Sequence, residues 1–160
     1  MINRAKEAAL THEQLISELA YDPYTGIFTW RKTGKGRKNK IAGRLQKAGY
    51  REIGINGYLY RASRLAWFYM TFVWPPHEID HKDLDKANNA FDNLREATPS
   101  QNLANRPSRN KIAKGVKKAR HVYQARLGEK HLGNFKTAED AAAAYVKAAV
   151  KKYGREFVRV

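Results

Sequence analysis

At 160 residues the chain holds one medium domain or two small ones, which excludes a large catalytic barrel. Hydrophobic residues at 42% and charged residues at 29% describe a folded chain, and a formal charge of +16 points to a polyanionic partner, nucleic acid first. The sequence has no cysteine, so disulfides and thiolate zinc sites are excluded and any metal must be held by oxygen or imidazole. The opening MINRAKEAALTHEQL carries no apolar export core, and no run reaches membrane-spanning length. A cytoplasmic protein with no membrane partner is expected.

In chain order, Thr11-His-Glu-Gln14 has capping-box spacing and predicts a helix through about Ala20, with Leu15, Ile16 and Leu19 on one face. Asp22 to Gly26 is turn chemistry, and Ile27 to Trp30 reads as a strand. The basic run RKTGKGRKNK follows and admits two readings. It is either a solvated charge run or an arm that contacts phosphates through Arg37, Lys38 and Lys40. Tyr50 to Ile55, Asn56-Gly57 and Tyr58 to Ala62 form the strongest hairpin signal, because Asn-Gly takes the positive φ values of a type I′ turn. Ser63 to Met70 predicts a helix burying Leu65, Ala66, Phe68 and Tyr69, ended by Trp74-Pro-Pro76.

The sign of the charge then reverses. Between His77 and Asn105 lie Glu78, Asp80, Asp83, Asp85, Asp92 and Glu96 against only Lys82, Lys86 and Arg95, while both flanks are basic. Glu78 to His81 predicts the end of a strand, and Leu94 to Thr98 a returning strand. Thr98-Pro-Ser-Gln101 starts a helix, with a cap, a proline at its first position and Gln three residues after the cap. A hairpin packed on a helix can bring Asp80, His81, Asn93 and Asn102 around one point. A carboxylate and an amide oxygen suit Mg²⁺, which completes its shell with water and phosphate oxygens. His81, whose side chain alternates away from that of Asp80, suits a general base near neutral pH, with Asn93 orienting the imidazole or pinning the loop. Together they meet the needs of phosphodiester hydrolysis.

Among the other polar residues, His77 either lies on the surface or approaches a phosphate. Arg95 contacts the phosphodiester, as a DNA-binding residue, or pairs with Glu96 or Asp92. Asp83, Asp85 and Asp92 are expected as solvated loop acids.

The run E-I-D-H, then D-N-L-R-E-A-T, then S-x-N resembles the HNH nuclease motif, in the variant of phage and intron-encoded homing endonucleases whose last His is Asn. The upstream R-x-S-R-L-A-W and V-W-P-P segments are similar to what precedes that motif. The resemblance implies a ββα-metal core over residues 60–106 and a metal-dependent endonuclease acting on double-stranded DNA. It also implies Asp80 and Asn102 as ligands of Mg²⁺ or Mn²⁺, His81 as general base and Asn93 as the loop asparagine that positions it. The products would carry 5′-phosphate and 3′-hydroxyl ends. The setting would be the cytoplasm of a phage-infected or host bacterial cell, and a monomer is expected rather than a dimer. One departure stands out: Lys82 to Asn89 replaces the family's glycine-containing turn.

The core is expected between an N-terminal α+β unit, 1–59, and a basic linker, 107–114. Residues 115–160 read as three short strands, Lys114–Ala119, Val122–Leu127 and Lys130–Phe135, and a long helix from Thr137 to Tyr153. Ala142, Tyr145, Val146, Ala149 and Tyr153 share one face of that helix. Tyr123, Ala125 and Leu127 turn inward, leaving Gln124 and Arg126 outward, with Lys117, Arg120 and His131 able to share their surface. Such a sheet can read a major groove, although a solvated basic face has the same pattern. The run G-V-K-K-A, Y-Q-A-R-L and H-L-G-N-F-K-T-A-E-D-A-A-A-A-Y resembles the ethylene-response-factor-type DNA-binding domain, with Tyr123 where that family has tryptophan. An α+β fold follows throughout. The alternatives are a DNA-binding regulator of the same shape without catalysis, and an RNA-binding basic protein.

Overall fold

The computed structural model describes residues 3–31, 40–108 and 112–158. The fold is mixed α+β, as expected, and divides into two compact units, Met1–Ala97 and Thr98–Val160. No helix among the described residues is long and apolar enough to cross a membrane.

The first unit begins with α1 (Arg4–Ala8), which the sequence reading did not anticipate, and α2 (His12–Glu18). The capping box of Thr11 and Gln14 forms as its spacing demands. The helix stops earlier than Ala20 because Leu19–Asp22 is drawn into a strand, β1, paired antiparallel with β2 (Ile27–Trp30). Leu15 and Leu19 are fully buried, whereas Ile16 is 38% exposed. A second sheet, in the order β3-β4-β5, comprises Arg44–Leu45, Arg51–Ile55 and Tyr58–Arg61. Its β4–β5 turn has Asn56 and Gly57 at φ 50° and 81°, the left-handed values that Asn-Gly supplies. Helix α3 (Ala62–Thr71) buries Leu65, Ala66 and Phe68 and ends at Phe72, in the left-handed region, before the prolines are reached.

The unit closes with the hairpin of β6 (Glu78–His81) and β7 (Leu94–Ala97), in a register that sets Asp80 opposite Arg95. Phe28, Ile53, Ile79 and Leu94 belong to one apolar cluster, so residues 1–59 and the hairpin share a core. Each large side chain removed from water there contributes about 1.5–3 kcal/mol.

The second unit opens with α4 (Pro99–Asn105), whose Thr98–Gln101 capping box and first-turn proline follow from the sequence. A three-stranded antiparallel sheet, in the order β10-β9-β8, is built from Val116–Ala119, Val122–Leu127 and Lys130–Phe135. Helix α5 (Ala138–Tyr153) packs on it through Ala141, Tyr145 and Ala149. The buried line runs through Ala141 where Ala142 was expected. Lys114 Nζ donates to the carbonyls of Leu103, Ala104 and Arg106 at 2.8, 2.7 and 2.7 Å, satisfying the carbonyl end of α4. Gln101 Nε2 reaches the Tyr153 carbonyl at 3.3 Å, so α4 is tied to the C-terminal helix.

Candidate active site

Three consecutive residues of β6, Ile79, Asp80 and His81, are buried, and two of them are polar. Buried ionisable groups carry a desolvation cost, so each needs partners. Asp80 has one directly across the hairpin: Arg95 Nη2 and Nε donate to its Oδ2 at 2.7 and 3.0 Å. The ion pair of Arg95 is thus with Asp80, a partner that the sequence reading did not name, and its side chain is mostly buried. Glu96 instead accepts the His77 amide at 2.8 Å, and the side chain of His77 is exposed.

His81 Nε2 lies 3.2 Å from Asn89 Oδ1. Asn89 Nδ2 donates to the Ala87 carbonyl at 2.9 Å, which fixes the amide with its oxygen toward the ring. The imidazole therefore carries its proton on Nε2 and its basic lone pair on Nδ1. Burial pushes the His81 pKa below the ordinary histidine value, against the opposing pull of Asn89 and the carboxylates of Asp80, Asp83 and Asp85. That direction favours the neutral ring, the state a general base needs.

Asn89 is in turn held from the first sheet. The buried Tyr21 hydroxyl donates to its carbonyl at 2.7 Å. A Cβ added to Gly26, at φ 71°, would stand 2.2 Å from the Ala90 nitrogen, so only glycine lets the Asp22–Gly26 turn lie against residues 89–90. The Phe91 amide donates to Pro23 O at 2.8 Å. The N-terminal sheet thus supports the loop that holds the imidazole.

Asn93 does the other of its two expected jobs. Its Nδ2 donates to Asp83 Oδ1 and Asn88 O at 2.9 and 2.8 Å, and its Oδ1 accepts the Asp83 amide at 3.1 Å, so it pins the loop. The amide on His81 Nε2 belongs to Asn89, which sequence reasoning missed; nothing in the spacing separates Asn88, Asn89 and Asn93. Asp83 and Asp85 are not merely solvated. Asp83 also accepts the Asp85 amide and Asn88 Nδ2, and Asp85 accepts the Ala87 amide at 2.9 Å. Desolvation pushes the Asp83 carboxyl up, but hydrogen bonds from Asn88, Asn93 and the Asp85 amide together outweigh it and hold it below the usual range. This network carries Leu84 at φ 71°, the conformation a glycine would otherwise supply in the turn.

A further cation serves the strand from behind. Arg64 donates to the buried Glu7 at 2.6 Å and to the carbonyls of His77 and Pro75 at 2.6 and 2.9 Å, bracing the segment that leads into β6. It is the second arginine of R-x-S-R-L-A-W.

Asn102 lies half-buried on the first turns of α4, its amide bonded to the Thr98 carbonyl at 2.9 Å, and belongs to the second unit. Lys40 is exposed, and Arg37 and Lys38 lie outside the described residues. In the C-terminal sheet, Lys117 is opposite Gln124 and Arg126 opposite His131, which puts all four on one face. Ala125 and Leu127 point the other way and are buried. Arg120 sits at the exposed β8–β9 turn, at φ 49°, and not within a strand.

Among the described residues no three of His, Cys, Asp and Glu converge as a metal cage. Mg²⁺ held by one or two protein oxygens, water and phosphate requires none. The donor chemistry fits at Asp80, a buried carboxylate whose hard oxygens suit Mg²⁺.

Neither curated proteins nor solved structures give a match to this chain. Residues 60–104, from the end of β5 to helix α4, match the family model of HNH endonuclease, and that segment supports a nuclease of HNH type.

Proposed function

We propose that the protein is a metal-dependent, homing-type endonuclease that hydrolyses a phosphodiester of double-stranded DNA. The observation that carries this is His81: buried and held through Nε2 by Asn89, next to the buried carboxylate of Asp80. His81 takes a proton from a water through Nδ1. The resulting hydroxide adds to phosphorus, the bond to the 3′ oxygen breaks, that oxygen takes a proton from solvent water, and the imidazolium returns its proton to solvent. The products are a 5′-phosphate and a 3′-hydroxyl. Asp80 is the residue of the hairpin that would hold Mg²⁺ or Mn²⁺, and the motif alone supports Asn102 as a second ligand. Bound there, the ion would supply charge stabilisation at the phosphate and the leaving oxygen. Asn93 keeps the loop in shape, and Asn89 keeps the ring in one tautomer.

The β8–β10 face carrying Lys117, Gln124, Arg126 and His131 is the DNA-reading surface of this proposal. Its support is the outward alternation of Gln and Arg, whose side chains suit adenine and guanine edges. A monomer has one such hairpin and would nick one strand.

Supercoiled plasmid carrying candidate targets, incubated with Mg²⁺ or Mn²⁺, tests the chemistry. Wild type should produce nicked circles and His81→Ala should slow this by about 10²–10⁴-fold, the usual contribution of a general base. Equal, intact plasmid in both samples across metals and targets would reject the nuclease. One observation favours the alternative, a DNA-binding regulator without catalysis: Arg95 already supplies a cation to Asp80. That alternative predicts salt-sensitive binding without cleavage.

A further inference from the structure

Outside the residues assigned above, two cations converge on one aromatic ring beside the candidate base. Tyr50 follows a tight turn in which Gln46 and Tyr50 are joined by a backbone bond of 2.8 Å. Arg61 Cζ lies 4.2 Å from the centre of the Tyr50 ring and Lys86 Nζ lies 4.8 Å from it. The Tyr50 and His81 rings are 6.2 Å apart. All four residues belong to the first unit.

Like charges gathered on one ring repel, and each cation–π contact returns only about 0.5–1 kcal/mol at an exposed site. A nearby carboxylate would be the ordinary remedy. Among the described residues neither Arg61 nor Lys86 has one: Glu52, directly across the strand from Arg61, accepts Gln46 Nε2 at 2.9 Å instead. Lys86 spends one donor on the Ala48 carbonyl at 3.0 Å, and its ammonium has two more. Both cations are exposed, and both are held in place by the half-buried ring.

We propose that Arg61 and Lys86, positioned on Tyr50, seat a backbone phosphate of the DNA strand that His81 attacks. Phosphates on one strand advance about 3.4 Å along the duplex axis. The Tyr50 ring lies 6.2 Å from the imidazole and both cations lie within 4.8 Å of that ring, so the seat falls within about three nucleotides of the bond to be cut. Its location at a cutting centre rests on the nuclease reading. Its capacity to hold a phosphate does not.

The test separates the two. Binding of a labelled DNA duplex is followed by fluorescence anisotropy against salt in EDTA, where no cleavage occurs. The double variant Arg61→Gln/Lys86→Gln should flatten the plot of log affinity against log salt by about 0.9, the worth of the one phosphate seated, and each single variant by less. Lys147→Gln/Lys151→Gln removes the same charge from exposed positions of α5 and should leave the slope nearly unchanged. With Mg²⁺, the double variant should nick plasmid at least tenfold less efficiently than wild type. A slope equal to wild type, or a change no larger than the α5 control's, overturns the phosphate seat even if wild type nicks. A flattened slope in the double variant, together with a wild type that never nicks, would retain the seat and reject the nuclease.

Discussion

The β6–β7 hairpin and the β8–β10 sheet are both small, antiparallel and rich in charge, yet they place that charge oppositely. The hairpin buries Asp80 and His81, each against a named partner, and sets Arg95 nearly out of solvent. The sheet turns Lys117, Arg126 and His131 to water and buries only Ala125, Leu127 and their apolar neighbours. Burial is costly and alters protonation, so it suits a few groups that do chemistry. Exposure leaves charge available to a partner and adds little to stability. The same residue types therefore have different consequences in the two regions.

The largest expected difference tests that contrast directly. Arg95→Ala removes the cation on a buried carboxylate and should cost about 3–5 kcal/mol in urea denaturation. Arg126→Ala, on the open face, should change stability by no more than about 0.5 kcal/mol. If both variants unfold at the wild-type midpoint, the Asp80–Arg95 pair is not the buried support described here.

Glycines sharpen the comparison next. Gly26→Ala forces a Cβ into the backbone of residues 89–90 and should cost about 2–4 kcal/mol, overpacking added to left-handed strain, and slow nicking as Asn89 shifts. Gly128, at φ 61° in the β9–β10 turn, has nothing within 4 Å of a built Cβ, so Gly128→Ala should cost only about 1 kcal/mol. Thermal melts and plasmid assays of the pair check both.

For binding the order reverses. Arg126→Ala should weaken DNA affinity by about 1–3 kcal/mol and relax sequence preference, read by competition among duplexes of different sequence. Uniform weakening at every sequence would make it a phosphate contact.

The smallest effect is a pH dependence. The folded pKa of His81 lies below its unfolded value of about 6.5. Above that pH the ring is neutral in both states. As pH falls below it, the unfolded chain takes up a proton that the folded site resists, and stability drops until the folded ring titrates. The loss is at most about 1.4 kcal/mol per pH unit. Wild type should therefore lose more stability than His81→Gln between pH 7 and pH 5, and parallel losses would remove burial as the cause.

Much of the architecture was legible in the chain. Thr11, Thr98 and Thr137 cap helices where their spacing says, and Asn56-Gly57 turns the hairpin, because caps and turns depend on residues within a few positions of one another. Alternation sorted Gln124 and Arg126 from Ala125 and Leu127 for the same local reason. Leu19–Asp22 forms β1 and does not continue α2, because pairing with β2 overrides the helical tendency of Leu19 and Ala20.

The motif from Asp80 to Asn102 and the acidic island around it were set by the amino-acid order alone, as were the cysteine-free composition and the surplus of positive charge. Partner choice within the site was not. That Arg95 meets Asp80, that Asn89 and not Asn93 meets the imidazole, and that Tyr21 supports Asn89 from 68 residues away depend on register and packing between distant segments. Hydrogen bonds reach about 3 Å, and only the folded chain decides which of several equivalent amides and cations come within that reach.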